Sequence, residues 1–131
     1  MRSQRVIALT LCLAGSLLPP ATVSTGAPAQ NAEPRTIEVV ASRYAFEPAL
    51  IEAVEGERLR ILVKSADGLH GFEIKKFKVS KEIPRGSDPV VIEFTAAEAG
   101  KFPILCSVFC GDGHEDMKGM LVVAARSAAT P

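Results

Sequence analysis

The sequence predicts an all-β protein, a single Greek-key β-sandwich domain, and three observations carry that expectation. Short runs with period-two alternation recur from Thr36 onward, each bounded by Gly, Pro, Asp or Ser. No stretch keeps a helical period long enough to compete. A chain of 131 residues suits one hydrophobic core rather than two.

The elements follow in chain order. Arg2 and Arg5 precede an apolar run from Val6 to Leu18, then Pro19, Pro20 and a small polar stretch, which is the order of a secretory signal. That run is shorter than the ~20 apolar residues needed to cross a bilayer. Ala27-Pro28-Ala29 before Gln30 reads as a cleavage site, so residues 1–29 are expected to form a signal peptide that carries Cys12 away. An uncleaved run acting as an anchor is the alternative. Residues 30–35 form a flexible segment, 36–125 the folded domain and 126–131 a tail. Thr36 to Ala41 reads as the first strand, with Tyr44 and Phe46 alternating before Pro48. Leu50 to Val54 is a short run closed by Glu55-Gly56. From Arg58 to Lys64, Leu59, Ile61 and Val63 share one face, opposite Arg58, Arg60 and Lys64. His70 to Ile74 follows the turn Ser65-Ala66-Asp67-Gly68, and Val90, Ile92 and Phe94 point one way in another strand. Ala96 to Ala99 is compatible with one helical turn. Gly100 to Cys106 leads into a Gly-rich loop, and Met120 to Ala124 makes the last strand, where Met120 reads as core. Lys75, Lys76, Lys78 and Lys81 read as an exposed strand and loop face.

Composition narrows the function. Fifteen basic and 15 acidic residues give a formal charge of zero, which argues against a nucleic-acid partner, since phosphate binding needs a basic excess. At 47% hydrophobic with moderate charge, the chain is not a disordered one. Loss of Arg2 and Arg5 with the signal leaves a slightly acidic domain whose remaining thiols are Cys106 and Cys110. In an oxidising compartment two such thiols must be paired, ligated or protected.

The segment Cys106-Ser107-Val108-Phe109-Cys110-Gly111-Asp112-Gly113-His114-Glu115-Asp116-Met117 offers two thiolates, an imidazole and a thioether in one loop. This soft set favours copper, whereas structural zinc takes four Cys or His ligands and rarely Met. The other histidine, His70, lies far upstream in Asp67-Gly68-Leu69-His70-Gly71-Phe72, and a sandwich gathers loops of distant strands at one end. Both histidines and both remaining cysteines are thereby used by one candidate site.

On those residues the chain resembles a cupredoxin, specifically the dinuclear copper (CuA) domain of cytochrome c oxidase subunit II and nitrous oxide reductase. That family has Cys, three residues, Cys, three residues, His, two residues and Met, with an upstream His. Cys106, Cys110, His114, Met117 and His70 fill those positions, and the flanking Asp67 to Phe72 and Ile83-Pro84-Arg85-Gly86 match as well. The resemblance implies that Cys106 and Cys110 bridge two copper ions. His70 and His114 would cap opposite ions, with Met117 and the Val108 carbonyl as weak ligands. It implies a periplasmic single-electron carrier rather than an enzyme in its own right. Its expected partners are a c-type cytochrome or other redox protein and a copper chaperone for loading, with membrane association only if the signal is retained. The oxidase pattern has an acidic residue where Val108 stands and a Trp-rich segment for electron entry, and this chain has no Trp. Those departures favour a free-standing carrier over an oxidase subunit.

Four other readings stay open: a Cys106–Cys110 disulfide, a mononuclear blue-type site of His70, Cys110, His114 and Met117, a copper chaperone, and subunit II of a small terminal oxidase. Glu115 and Asp116 read either as steering groups for a basic partner or as a solvated loop.

Overall fold

The computed structural model describes residues 32–127, apart from 87. The expected signal peptide and its Cys12, the cleavage site and residues 128–131 of the tail lie outside the described residues.

Two sheets form a sandwich. The first has the order β2-β1-β4-β7, from β1 (Arg35–Ser42), β2 (Ala45–Glu47), β4 (Glu57–Ser65) and β7 (Val90–Ala96). The second has the order β3-β9-β8-β5-β6, from β3 (Leu50–Val54), β5 (His70–Ile74), β6 (Val79–Ile83), β8 (Gly100–Leu105) and β9 (Lys118–Ala124). β1 lies parallel to β4 with Val39 opposite Val63, and β3 lies parallel to β9 with Ile51 opposite Leu121.

Alternation sets which faces meet. In β4, Leu59, Ile61 and Val63 are fully buried while Arg58 and Lys64 face water. Across the gap they meet Phe72, Ile74, Ile104 and Leu121 of the second sheet in one continuous core. Each such aliphatic side chain contributes about 1.5–3 kcal/mol on burial. Phe46 and Phe72 meet edge to face at 5.5 Å, tying β2 to β5 and hence one sheet to the other.

The strands expected from alternation all form: β1, β4, β7 and β9 each run two residues longer than expected, β3 and β5 match, and β8 ends one residue early at Leu105. Ala96–Ala99 makes no helical turn: Ala96 ends β7 fully buried, and the Ala97 N–H donates to the Thr95 carbonyl at 2.9 Å. Burial of Ala96 against the core outweighs the weak helical preference of so short a run. The lysine-rich stretch divides into a short 3-10 turn (Lys75–Phe77) and the edge strand β6, with all four lysines exposed. Met120 is half-buried in β9. Among the described residues no helix is long and apolar enough to cross a membrane.

Strand order places three connections at one end. The Ser42–Ala45 turn links β1 to β2. Residues 66–69 carry the chain from β4 in one sheet to β5 in the other, and residues 106–117 join β8 to β9.

Candidate metal centre

The loop from Cys106 to Met117 is pinned at its base by the antiparallel ladder of β8 and β9, whose last pair is Leu105 with Lys118. Just inside that pair the Cys106 N–H donates to the Met117 carbonyl at 3.3 Å. A second 3-10 turn, His114–Asp116, follows Gly111 to Gly113. Residues three apart eclipse in such a turn, so His114 and Met117 project to one side, toward the cysteines. Gly111 has φ +137°, a conformation that L side chains rarely adopt.

Cys110 is the hub. Its sulfur lies 3.7 Å from Cys106 Sγ, 3.9 Å from His114 Nδ1 and 3.9 Å from Met117 Sδ. Cys106 Sγ lies 3.1 Å from the Val108 carbonyl oxygen and accepts the Gly71 N–H at 3.3 Å. Both cysteines are free thiols, and together with Met117 they are buried. His70, the first residue of β5, is fully buried, and a ring nitrogen of it lies within 4.8 Å of both sulfurs. The structure thus brings His70, Cys106, Val108, Cys110, His114 and Met117 to one place.

Asp67 settles the orientation of His70. Its Oδ1 lies 2.7 Å from His70 Nε2, and its Oδ2 accepts the Arg43 N–H at 2.8 Å. The Arg43 main chain, followed by the His70 ring, holds the Asp67 carboxyl below its ordinary value. An ionised carboxylate only accepts, so Nε2 carries the proton and Nδ1 keeps its lone pair. Nδ1 is buried and has no hydrogen-bond partner among the described residues. Such an orphan is costly to leave unsatisfied, and its ring lies beside the two sulfurs. Burial, then hydrogen bonding and charge repulsion with Cys106, push the Cys110 thiol up to about 11, with Arg43 pulling the other way.

Three residues take supporting roles that the sequence reading did not assign. Ser65 staples the turn before His70: its hydroxyl donates to the Gly68 carbonyl and accepts the Gly68 N–H at 3.1 Å. Gly71 permits close approach of β5 to the loop, since a Cβ there would lie 2.6 Å from the Ser107 nitrogen and 2.7 Å from that of Val108. Arg43 donates from Nε to the Cys110 carbonyl at 2.8 Å. An Asp three residues before a buried His was the one available signal; the Arg43 bond spans 67 residues and leaves no local trace. Tyr44 packs its ring on Gly111 and Gly113. At the rim Phe109 is 72% exposed, its ring 5.8 Å from that of His114, with Asp112, Glu115 and Asp116 exposed nearby in the loop.

A two-sheet sandwich with a buried imidazole, two thiols and a thioether gathered at one end presents a soft-donor set of the kind that suits copper. Residues 9–123 match the cupredoxin-like domain family, and the chain belongs to that family. It is 30% identical over 88 residues to cytochrome c oxidase subunit 2 of Thermus thermophilus. That alignment covers 67% of this chain, which spans 64% of that relative and 52% of a second Thermus thermophilus form of the subunit. Among solved structures, the periplasmic domain of oxidase subunit II of Bradyrhizobium japonicum aligns with a TM-score of 0.61 at 21% identity, covering 69% of this chain and 83% of that one. Auracyanin A, a blue copper protein of Chloroflexus aurantiacus, aligns at 0.56 and 20% identity, over 70% of this chain and all of that one. At these identities the structural likenesses bear on the fold.

Proposed function

We propose that this domain holds a dinuclear copper centre of the CuA type and carries single electrons in the periplasm, after removal of residues 1–29 as a signal peptide. The observation that carries the reading is the fully buried His70, its Nδ1 without a partner among the described residues and a ring nitrogen within 4.8 Å of two thiols that are themselves 3.7 Å apart. Cys106 and Cys110 would bridge the ions and His70 and His114 would cap them, with Met117 and the Val108 carbonyl as weak ligands. The donor set suits copper because thiolate, thioether and imidazole are its preferred partners. When bound, such a pair supplies one-electron chemistry in which the charge change is spread over two metals and two sulfurs.

The chain's own residues prepare that site. Asp67 fixes the His70 tautomer and ring plane, and such outer partners are worth about 10–100-fold in metal affinity. Burial of Cys106, Cys110 and Met117 excludes water, and the Gly71 N–H stabilises negative charge on Cys106 Sγ. His114 is half-buried beside exposed Phe109, so its edge is the natural point of electron exchange. The acidic residues 112, 115 and 116 favour a basic redox partner such as a c-type cytochrome. Val108 has no carboxylate to offer a catalytic subunit, which supports a free-standing carrier over an oxidase component.

One observation favours a mononuclear blue-type site: Cys110 alone has both the imidazole of His114 and the thioether of Met117 within 3.9 Å. Metal analysis separates the two. The proposal expects two coppers per chain in the wild type and loss of the second in Cys106→Ser. One copper in both would establish the mononuclear site.

A further inference from the structure

Arg43 joins two parts of the site that are far apart in sequence, residues 67–68 and Cys110. Its main-chain N–H donates to Asp67 Oδ2 at 2.8 Å, and Asp67 in turn orients His70. Its side-chain Nε donates to the Cys110 carbonyl at 2.8 Å. The guanidinium lies over Gly68, where a Cβ would come within 3.1 Å of one terminal nitrogen. The next residue, Tyr44, lays its ring on Gly111 and Gly113, so the β1–β2 turn grips the cysteine loop at consecutive points.

We propose that Arg43 is a positioning residue for this centre: it clamps the Cys110 main chain to the Asp67–His70 arm and sets a fixed positive charge beside the sulfur pair. The proposal deepens the copper reading and its second half rests on it. The clamp half stands without metal, because both hydrogen bonds are present in the protein alone. Fixing the Cys110 carbonyl fixes the direction of the Cys110 side chain, which is the hub of the donor cluster. The charge acts on the electron equilibrium. A cation favours whichever state carries the extra electron, so Arg43 raises the reduction potential. Its outer face is exposed, and solvent screening keeps the effect modest.

Three substitutions separate the two effects in the full chain. Arg43→Gln keeps an N–H donor the same number of bonds from Cα as the arginine Nε and removes the charge. Arg43→Lys keeps the charge and lacks a donor at that point. Arg43→Ala loses both. Hydrogen exchange on the metal-free protein reads the clamp at the His114 and Asp116 amides, which are bonded to the Gly111 and Gly113 carbonyls. Exchange there should quicken at least tenfold in Arg43→Lys and Arg43→Ala and stay unchanged in Arg43→Gln. Redox titration of the copper-loaded protein reads the charge. Arg43→Gln and Arg43→Ala should shift the one-electron equilibrium about threefold toward the oxidised form, or ~28 mV, with Arg43→Lys close to wild type. Unchanged exchange in Arg43→Lys and Arg43→Ala overturns the clamp, and unchanged potentials in Arg43→Gln and Arg43→Ala overturn the charge effect. A wild-type chain that takes up no copper defeats the copper reading and the charge effect with it, while the exchange result still decides the clamp.

Discussion

Asp67 controls His70 with one carboxylate used twice, one oxygen on the imidazole and the other on the Arg43 main chain. That arrangement leaves the lone pair on Nδ1, so Asp67→Ala frees the ring to rotate and to change tautomer. Copper affinity should fall about 10–100-fold, measured by competition with a chelator, while the fold is retained because Asp67 stands outside the core. Affinity within twofold of wild type would show that packing alone orients His70. At this scale the sequence was informative where the residue type is chemically rare. Two histidines and two cysteines in the folded domain left few ways to build a soft site, and the spacing from Cys106 to Met117 made that loop readable. Arg43 was not readable, because an arginine in a turn is ordinarily a solvated residue. Its role depends on a carbonyl that only the folded chain brings near.

At the scale of elements, the site is a meeting of β5 with the loop between β8 and β9. The approach is close because residue 71 has no side chain: a Cβ there would overlap the Ser107 hydroxyl and the nitrogens of Ser107 and Val108. Backbone cannot give way as a flexible side chain can, so Gly71→Ala should push the loop off the strand at a cost of about 1–3 kcal/mol. It should also lengthen the Gly71 N–H contact to Cys106 Sγ and loosen copper. Urea unfolding together with copper retention checks this, and a variant as stable and as well loaded as wild type would contradict it. Strands with clean alternation, β4 above all, were legible from pattern alone. β6 was harder: its burial runs from Val79 to Ile83 across three exposed residues, so it has almost no apolar stripe and is held by pairing with β5. The turns at Ser42–Ala45 and 66–69 read as simple connections, since their contribution comes from tertiary hydrogen bonds.

At the scale of the molecule, the sandwich spends part of its buried volume on polar sulfur and imidazole groups, and this shows in its pH response. The metal-free Cys110 thiol is pushed up to about 11 from an ordinary 9.0, chiefly by burial. A group whose folded value is raised contributes stability fully below its unfolded value and loses it as pH climbs to the folded one. Metal-free, reduced protein should therefore lose on the order of 2 kcal/mol between about pH 9 and 11. Cys110→Ala should flatten that part of the profile, as chemical denaturation across the range would show. An equal slope in both proteins would place the alkaline loss elsewhere. Bound copper should remove the slope too, because the ligand is then already a thiolate.

Two cysteines joining two coppers would share one unpaired electron between the metals, and electron paramagnetic resonance of the oxidised, copper-loaded chain reads that sharing. The expected spectrum shows hyperfine structure from an unpaired electron spread equally over two copper nuclei. A spectrum from a single copper nucleus, with one copper per chain, would contradict it.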